Sequence, residues 1–478
     1  MQASRTTDFT KGSISRHLLV FSIPMFLGNL LQALYNTVDS FWVGRFLGPE
    51  ALGAVSVGFP IIFALVSIVA GLAVAATVLV SQYYGARQMD SVKRTIGNTL
   101  VILGLSSVAI SIPGVLFARR ILRLINTPPQ VMEMAAQYLQ VFIAGLIFMF
   151  LYNALSSIMR GLGDSRTPLV FLFYTTMINI ALDPLMIFGI GPLPAMGVAG
   201  AAFATVIAQA ISVALLFRHL SRVTNLLPRT RDQWRPDWQL TVTTFRIGLP
   251  AGAQQLMVSL GGLVITSIIN TFGATTVAAF GAASRLDQFA FMPAMSTGLA
   301  VSSLVGQNIG AGKHDRVRDV VRSGLMLTGG IAAVISLVVM AAPKLLLGVF
   351  TADTMVLGAG ATYLRIVAFS YVPLSLMFAV NGALRGAGDT MPTMLTTVIA
   401  LWAVRVPLAR TLSSIPSLGV KGVWIAAAVS PLVGFLVSYI YYRTGRWKTK
   451  AVVKRSQYPE AAWAREPELA ADSAGGAS

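Results

Sequence analysis

Twelve apolar runs, each about the length of a bilayer crossing, dominate this sequence. They fall near residues 17–43, 51–83, 95–117, 134–159, 168–190, 196–218, 245–271, 277–308, 320–342, 357–384, 392–412 and 419–442. A hydrocarbon core of about 30 Å takes about 20 apolar residues. In lipid each segment must satisfy its own backbone, so runs of this kind are helices. The fold class is therefore an all-α membrane protein with twelve transmembrane helices. The second and eighth runs are long and must tilt or extend beyond the lipid. The loops are short and carry turn residues, as at Gly48-Pro49-Glu50, Thr127-Pro128-Pro129 and Gly191-Pro192. Composition agrees: 55% of residues are hydrophobic and 11% charged, against about 25% charged in soluble domains. A soluble enzyme, a disordered chain and a secreted disulfide scaffold are excluded. The chain has no Cys, and His17, His219 and His314 are too scattered for a catalytic metal centre. No enzymatic activity and no cofactor are expected.

Charge orients the chain. The net charge is +18. With the N-terminus in the cytoplasm, Arg87, Lys93 and Arg94, the stretch from Arg218 to Arg246, the stretch from Lys313 to Arg322 and the tail from Arg443 to Arg465 all face the cytoplasm. Both termini are then cytoplasmic, and the protein is a multi-pass protein of the inner (plasma) membrane. These basic residues meet anionic headgroups, not nucleic acid. Arg119, Arg120 and Arg123 run against the rule. Residues 1–16 read as a polar lead-in and not as a removed signal peptide. The polar tail 443–478 reads as disordered.

The chain repeats itself. MRGLGDS (159–165) matches LRGAGDT (384–390), and SQYYGA (81–86) matches GQNIGA (306–311), both 225 residues apart. Gly48 pairs with Gly273, and Pro24 with Pro250 within one residue. LPAMGVAGA (193–201) resembles IPSLGVKGV (415–423). Ordered matches across both halves indicate duplication. Six spans per half is an even number, so the repeat is parallel, about an axis along the membrane normal. The expected architecture is two six-helix lobes, 17–218 and 245–442, joined by a cytoplasmic linker at 219–244. The RGxGD[ST] repeat reads as structural: its glycines turn, its Arg faces the cytoplasm, and its Asp and Ser or Thr cap the next helix.

Three carboxylates lie inside spans: Asp39, Asp183 and Asp287. A charge there costs a few kcal/mol by insertion scales. On span 1, Gln32, Tyr35, Asn36 and Asp39 share one helical face. On span 5, Asn179 and Asp183 are four apart. Span 4 adds Asn153 and span 6 adds Thr205. This oxygen-rich set suits Na⁺ or a proton. Asn153, Asn179 and Thr205 also suit plain interhelical bonding. Asp287 reads as half of a buried structural ion pair; Arg285, two residues away, does not face it. The second half does not repeat the carboxylates: Val264 stands at the position of Asp39 and Arg405 at that of Asp183. Pro24, fifteen residues before Asp39, is a candidate hinge or a static kink.

With these residues in hand, the chain resembles the multidrug and toxic compound extrusion (MATE) transporters over roughly residues 14–445. The resemblance rests on YNTVDSFWVGRFLG (35–48), NIALDPLMIFG (179–189), GVAGAAFAT (197–205), GQNIGAG (306–312) and LRGAGDT. It implies export of bulky, often cationic, amphipathic compounds by alternating access, in exchange for H⁺ or Na⁺. It implies coupling at Asp39, Asn179 and Asp183, with Thr205 and Asn153 beside them and Na⁺ held at Asp39, Asp183 and Asn179. Gln32, Tyr35 and Asn36 would line the substrate cavity. Another branch of the family carries acidic residues on spans 7 and 10; here span 7 offers only Gln254 and Gln255. The implied partners are small-molecule substrates and the bilayer, and the chain is expected to be a monomer.

Two other readings remain. A lipid-linked oligosaccharide flippase of a related superfamily would favour a cavity richer in Arg and Lys. An intramembrane aspartyl protease would use a GxGD motif, which Gly161 to Asp164 fits in letters. That motif recurs at Gly386 to Asp389 and lies at a loop beside Arg160.

Overall fold

The computed structural model describes residues 6–189, 194–223 and 225–453. All regular structure among them is helical. Eleven helices are long and apolar enough to cross a membrane, and a twelfth crossing is a helix pair bent by 46°. Span 1 is Ile14–Trp42, prolonged by a π turn at Val43–Leu47. Span 2 is Pro49–Gly85, and span 3 is Met89–Leu124. Span 4 is the bent pair Pro129–Ala144 and Leu146–Gly161. Span 5 is Arg166–Phe188, span 6 Gly197–Val223, span 7 Trp238–Asn270, span 8 Ala274–Gly310 and span 9 His314–Ala341. Span 10 joins Thr354–Val367 to Tyr371–Gly386. Span 11 joins Met391–Val398 to Val406–Ser413 through a π turn at Ile399–Arg405, and span 12 is Val420–Arg443.

The twelve crossings match the twelve apolar runs. Spans 2 and 8 have 37 residues each, about 55 Å of helix, so both outreach the hydrocarbon layer. The break in span 4 falls at Gly145, where a Cβ would sit 2.1 Å from Val206 Cγ2. Span 6 therefore packs directly on the bend. The Gly191-Pro192 loop lies outside the described residues.

Backbone geometry repeats with the sequence. Gly48 and Gly273, before spans 2 and 8, have φ of +87° and +88°. Gly163 and Gly388, in the two RGxGD turns, have +84° and +86°. A side chain is strained at such angles. The turns differ in detail from the sequence reading. Asp164 Oδ1 accepts the N–H groups of Arg166 and Thr167, each at 3.0 Å, and so caps span 5. Ser165 and Thr390 make no such bond, and Asp389 accepts the Tyr441 hydroxyl at 2.7 Å. The arginines fold back into the bundle: Arg160 Nη2 donates to Ser157 Oγ at 2.5 Å and Arg385 Nη2 to Gln254 Oε1 at 2.7 Å. Arg119 is held by Glu133 at 2.8 Å, and Arg120 lies over the Phe117 ring.

The first half has its own core, where Leu72, Val80, Ile96, Leu103, Leu139 and Phe150 meet. A second core joins Ile265, Ala283, Leu364, Tyr371 and Trp424 of spans 7 to 12. Span 1 is shared. Leu18, Phe21 and Met25 pack with Val301, Leu304, Val320 and Leu384 of spans 8 to 10, whereas Val43 packs with Tyr138, Ile187 and Val198 of the first half. The halves meet closely along spans 2 and 7, where a Cβ on Gly71 would lie 2.3 Å from Gly248 O. Small residues permit such contact between membrane helices.

The chain between spans 6 and 7 is tied to span 3. The Asp237 N–H and the Thr241 hydroxyl both donate to Asn98 Oδ1, at 3.0 and 3.1 Å. The tail departs from the disorder expected from residue 443. Arg446–Lys450 forms a 3-10 turn, Trp447 is buried, and its ring stacks on Tyr442. An aromatic side chain and a backbone hydrogen bond at Val452 order this stretch. Residues 454–478, like 1–5, lie outside the described part.

Candidate functional site

Span 1 carries a polar face toward spans 5 and 6. Gln32 and Asn36 are exposed and bonded to each other, Gln32 Nε2 donating to Asn36 Oδ1 at 3.3 Å. One step round the helix Tyr35 turns inward, and its hydroxyl donates to Thr205 Oγ1 at 3.1 Å. Asp39 follows one turn later. The π turn Val43–Leu47 begins four residues further on, and the Val43 N–H still reaches Asp39 O and Ser40 O. Such widened turns recur at functional positions in helices.

Span 5 brings Asn179 and Asp183, both fully buried, against this face. Asn179 Nδ2 donates to Asp183 Oδ1 at 3.1 Å and lies 3.5 Å from Thr205 Oγ1. Pro184 has no N–H for the carbonyl of Ile180, which loosens the backbone of the same turn. Asp39 and Asp183 come within electrostatic reach of each other. Two like charges at close range in a low-dielectric setting repel.

The hydrogen bonding is incomplete. Among the described residues, Asp39 Oδ1, Asn179 Oδ1 and Asp183 Oδ2 are buried and accept no hydrogen bond. Each such group costs about 1–3 kcal/mol when left unmatched. All three are acceptors, so what they lack is a donor or a cation. Hard cations take oxygen ligands of this sort. The residues therefore fit Na⁺, or protons taken up by the carboxylates.

The structure thus brings Asp39, Asn179, Asp183, Thr205 and Tyr35 together. It does not tie Asn153 to them: its Nδ2 donates to Met149 O in its own helix at 2.9 Å. Tyr138, which the sequence reading passed over, is buried within electrostatic reach of both Asp39 and Asp183. The bend at Gly145 hides it, because a single helical wheel cannot phase Tyr138 with Asn153 across a break. Its phenol inside an apolar run was the one available signal. Pro24 is buried in a helix that continues through it, in the stretch packed on the second half.

The second half is built differently. Asp287 is buried but is not the ion pair expected of it. Tyr363 donates to its Oδ2, and Tyr371 donates to its Oδ1 at 2.5 Å. Arg405 is within electrostatic reach, but its Nε donates to Ser430 Oγ at 2.6 Å. Arg285 lies over the Phe350 ring instead. Gln254 is occupied by Thr397, Thr393 and Arg385.

Comparison with known proteins agrees with this layout. The MatE family model matches twice, at residues 24–185 and 250–411. A probable multidrug resistance protein of Bacillus subtilis, YpnP, is 34% identical over 92% of this chain and 97% of its own. The probable multidrug resistance protein NorM of Thermotoga maritima is 26% identical over 94% of this chain and 96% of its own. Among solved structures, an outward-facing multidrug resistance MATE family transporter of the MOP superfamily superposes with a TM-score of 0.86 at 23% identity, over 94% of this chain and 99% of that one. By the double match across both halves and the near full-length likeness to its relatives, the chain belongs to the MatE family of transporters.

Proposed function

We propose that the protein exports amphipathic, cationic compounds across the plasma membrane as a secondary antiporter, exchanging them for H⁺ or Na⁺ by alternating access. The observation that carries this reading is the set of three donor-less oxygens on Asp39, Asn179 and Asp183. The relatives named probable multidrug resistance proteins support a substrate class of this kind. An ion entering the cluster satisfies the oxygens and removes the repulsion between the carboxylates. Span 1 then repacks about Pro24, since its first part is held by the second half and its last part by the first. The exposed Gln32 and Asn36 line the route that the substrate takes. Ion and cationic substrate draw on one negative charge, and that shared charge makes their binding antagonistic. The basic ends of the chain and the linker face the cytoplasm in this reading.

The test is transport of a fluorescent cation in proteoliposomes with Na⁺ and pH gradients imposed separately. Export driven by either gradient supports the reading. Equal transport with no gradient, in parent and Asp183→Asn alike, sinks it. A Cys placed at position 231 should stay unreactive to an impermeant reagent applied outside intact cells; reaction there would reverse the orientation. The GxGD sequences favour transport over proteolysis, since Asp164 caps a helix and Asp389 accepts from Tyr441. The carboxylates of the first half favour a cation over the pyrophosphate of a lipid-linked sugar.

A further inference from the structure

SQYYGA and GQNIGA, the repeat left over from the coupling site, meet where spans 2 and 8 end. The approach is very close. A Cβ on Gly85 would lie 2.0 Å from Gln307 O, and one on Gly310 would lie 1.9 Å from Gln82 O. The glutamines reach across between the halves in a crossed pair. Gln82 Nε2 donates to Gly386 O at 2.9 Å, and Gln307 Nε2 donates to Gly161 O at 3.2 Å. Residues 82 and 307 stand 225 apart, as do 161 and 386.

Each glutamine is completed by an end of the chain. Gln307 Oε1 accepts the Phe9 N–H at 2.9 Å, and Gln82 Oε1 accepts the Val452 N–H at 2.8 Å. The same two segments cover the two glycine turns: Thr7 O lies 2.4 Å from where a Gly163 Cβ would be, and Lys450 O lies 3.3 Å from that of Gly388. The N-terminal segment also spans the halves. Tyr84 donates to Thr6 on one side, while Asn308, Lys313 and Arg316 donate to the carbonyls of residues 9 to 12 on the other.

We infer that Gln82 and Gln307 form a crossed clasp that locks this end of the bundle shut, and that residues 6–12 and 450–452 are straps that hold each glutamine in its locking pose. In each glutamine the amide nitrogen bonds to the opposite half and the oxygen accepts from a strap. Opening this end must break both glutamine bonds and release the straps together. The device rests on the alternating-access reading for its purpose, but its geometry is independent of ion and substrate.

The test reads the clasp without either. The chain has no native Cys, so a single Ser81→Cys is a clean reporter; Ser81 is buried, its Oγ 2.0 Å from where a Gly306 Cβ would be. Thiol labelling is followed in the full-length purified protein with no gradient and no substrate. The double variant Gln82→Met/Gln307→Met keeps side-chain length and loses the bonds. Val452→Pro removes one strap donor, the N–H that Gln82 Oε1 accepts, and alters neither glutamine. Val452→Pro, which loses one buried hydrogen bond, should label at Ser81→Cys about tenfold faster than the parent, and the double variant, which loses four, at least as much faster. A control thiol at the buried Ser107 should stay protected, which separates opening from unfolding. Unchanged labelling in the double variant overturns the clasp. Faster labelling there with no change in Val452→Pro overturns the straps. Where the double variant does not fold, Val452→Pro alone decides. Absence of ion-driven export in the parent, with labelling that responds to the variants as expected, would count against the transport reading and not against the clasp.

Discussion

The two halves of this molecule share a sequence repeat, yet each handles its buried carboxylates in a different way. In the second half Asp287 is fully served: Tyr363 and Tyr371 donate to its two oxygens. In the first half Asp39 Oδ1 and Asp183 Oδ2 receive nothing, and Asn179 spends its only donor group on Asp183 and Thr205 while its own oxygen goes unmatched. A buried acceptor with donors is structural. A buried acceptor without them is prepared for something that arrives. Duplication supplied two scaffolds, and the buried carboxylate oxygens without a donor lie in one of them.

Four experiments would sharpen or break that contrast. The largest effect is expected from Asp183→Asn, which removes the charge at the centre of the cluster. Ion-driven export in proteoliposomes should fall by about 100-fold, equal to about 2.7 kcal/mol, with the protein still folded; Asp39→Asn should do the same. Full activity in either would move coupling out of the first half. Next comes Asp287→Asn. It weakens an acceptor between two tyrosines and should lower stability by about 1–3 kcal/mol, read as a lower melting midpoint. Export per folded molecule should hold. Loss of coupling there, with the first-half variants active, would invert the comparison.

Smaller effects should separate the tyrosines. Tyr371→Phe deletes a donor to Asp287 and should cost about 1–2 kcal/mol in stability. Tyr35→Phe deletes only the bond to Thr205, and should change the ion dependence of export more than the melting midpoint. The reverse pattern would mean that the first-half cluster is structural. The smallest change is expected from Asn153→Ala. Its side chain bonds to its own helix at Met149 O, so export should stay within about twofold of the parent. A large loss would return Asn153 to the coupling set.

Much of this was legible in the residues, and the rest was hidden for identifiable reasons. Asp39, Asn179 and Asp183 stood out because charge and carboxamide are rare in apolar runs, and their spacing placed them on two helix faces. Tyr138 did not, because the kink at Gly145 breaks the wheel on which it would have been read. Asp287 was singled out as buried, but its partners Tyr363 and Tyr371 are distant in sequence, and periodicity says nothing about which helices become neighbours. Span 1 reads as one element of one lobe. Its division between two cores depends on how spans 5, 6, 8 and 9 surround it.

The sequence by itself determined the number of crossings, the duplication and the polar residues that a membrane would not carry without cause. These follow from local rules: helix length against bilayer thickness, and the cost of charge in lipid. Only the tertiary structure decided which acceptors found donors, which half kept carboxylate oxygens without them, and how Gln82 and Gln307 reach across to Gly386 and Gly161. A hydrogen bond between residues 304 or 146 positions apart depends on packing that brings distant helices within 3 Å or so, and no local pattern records that distance.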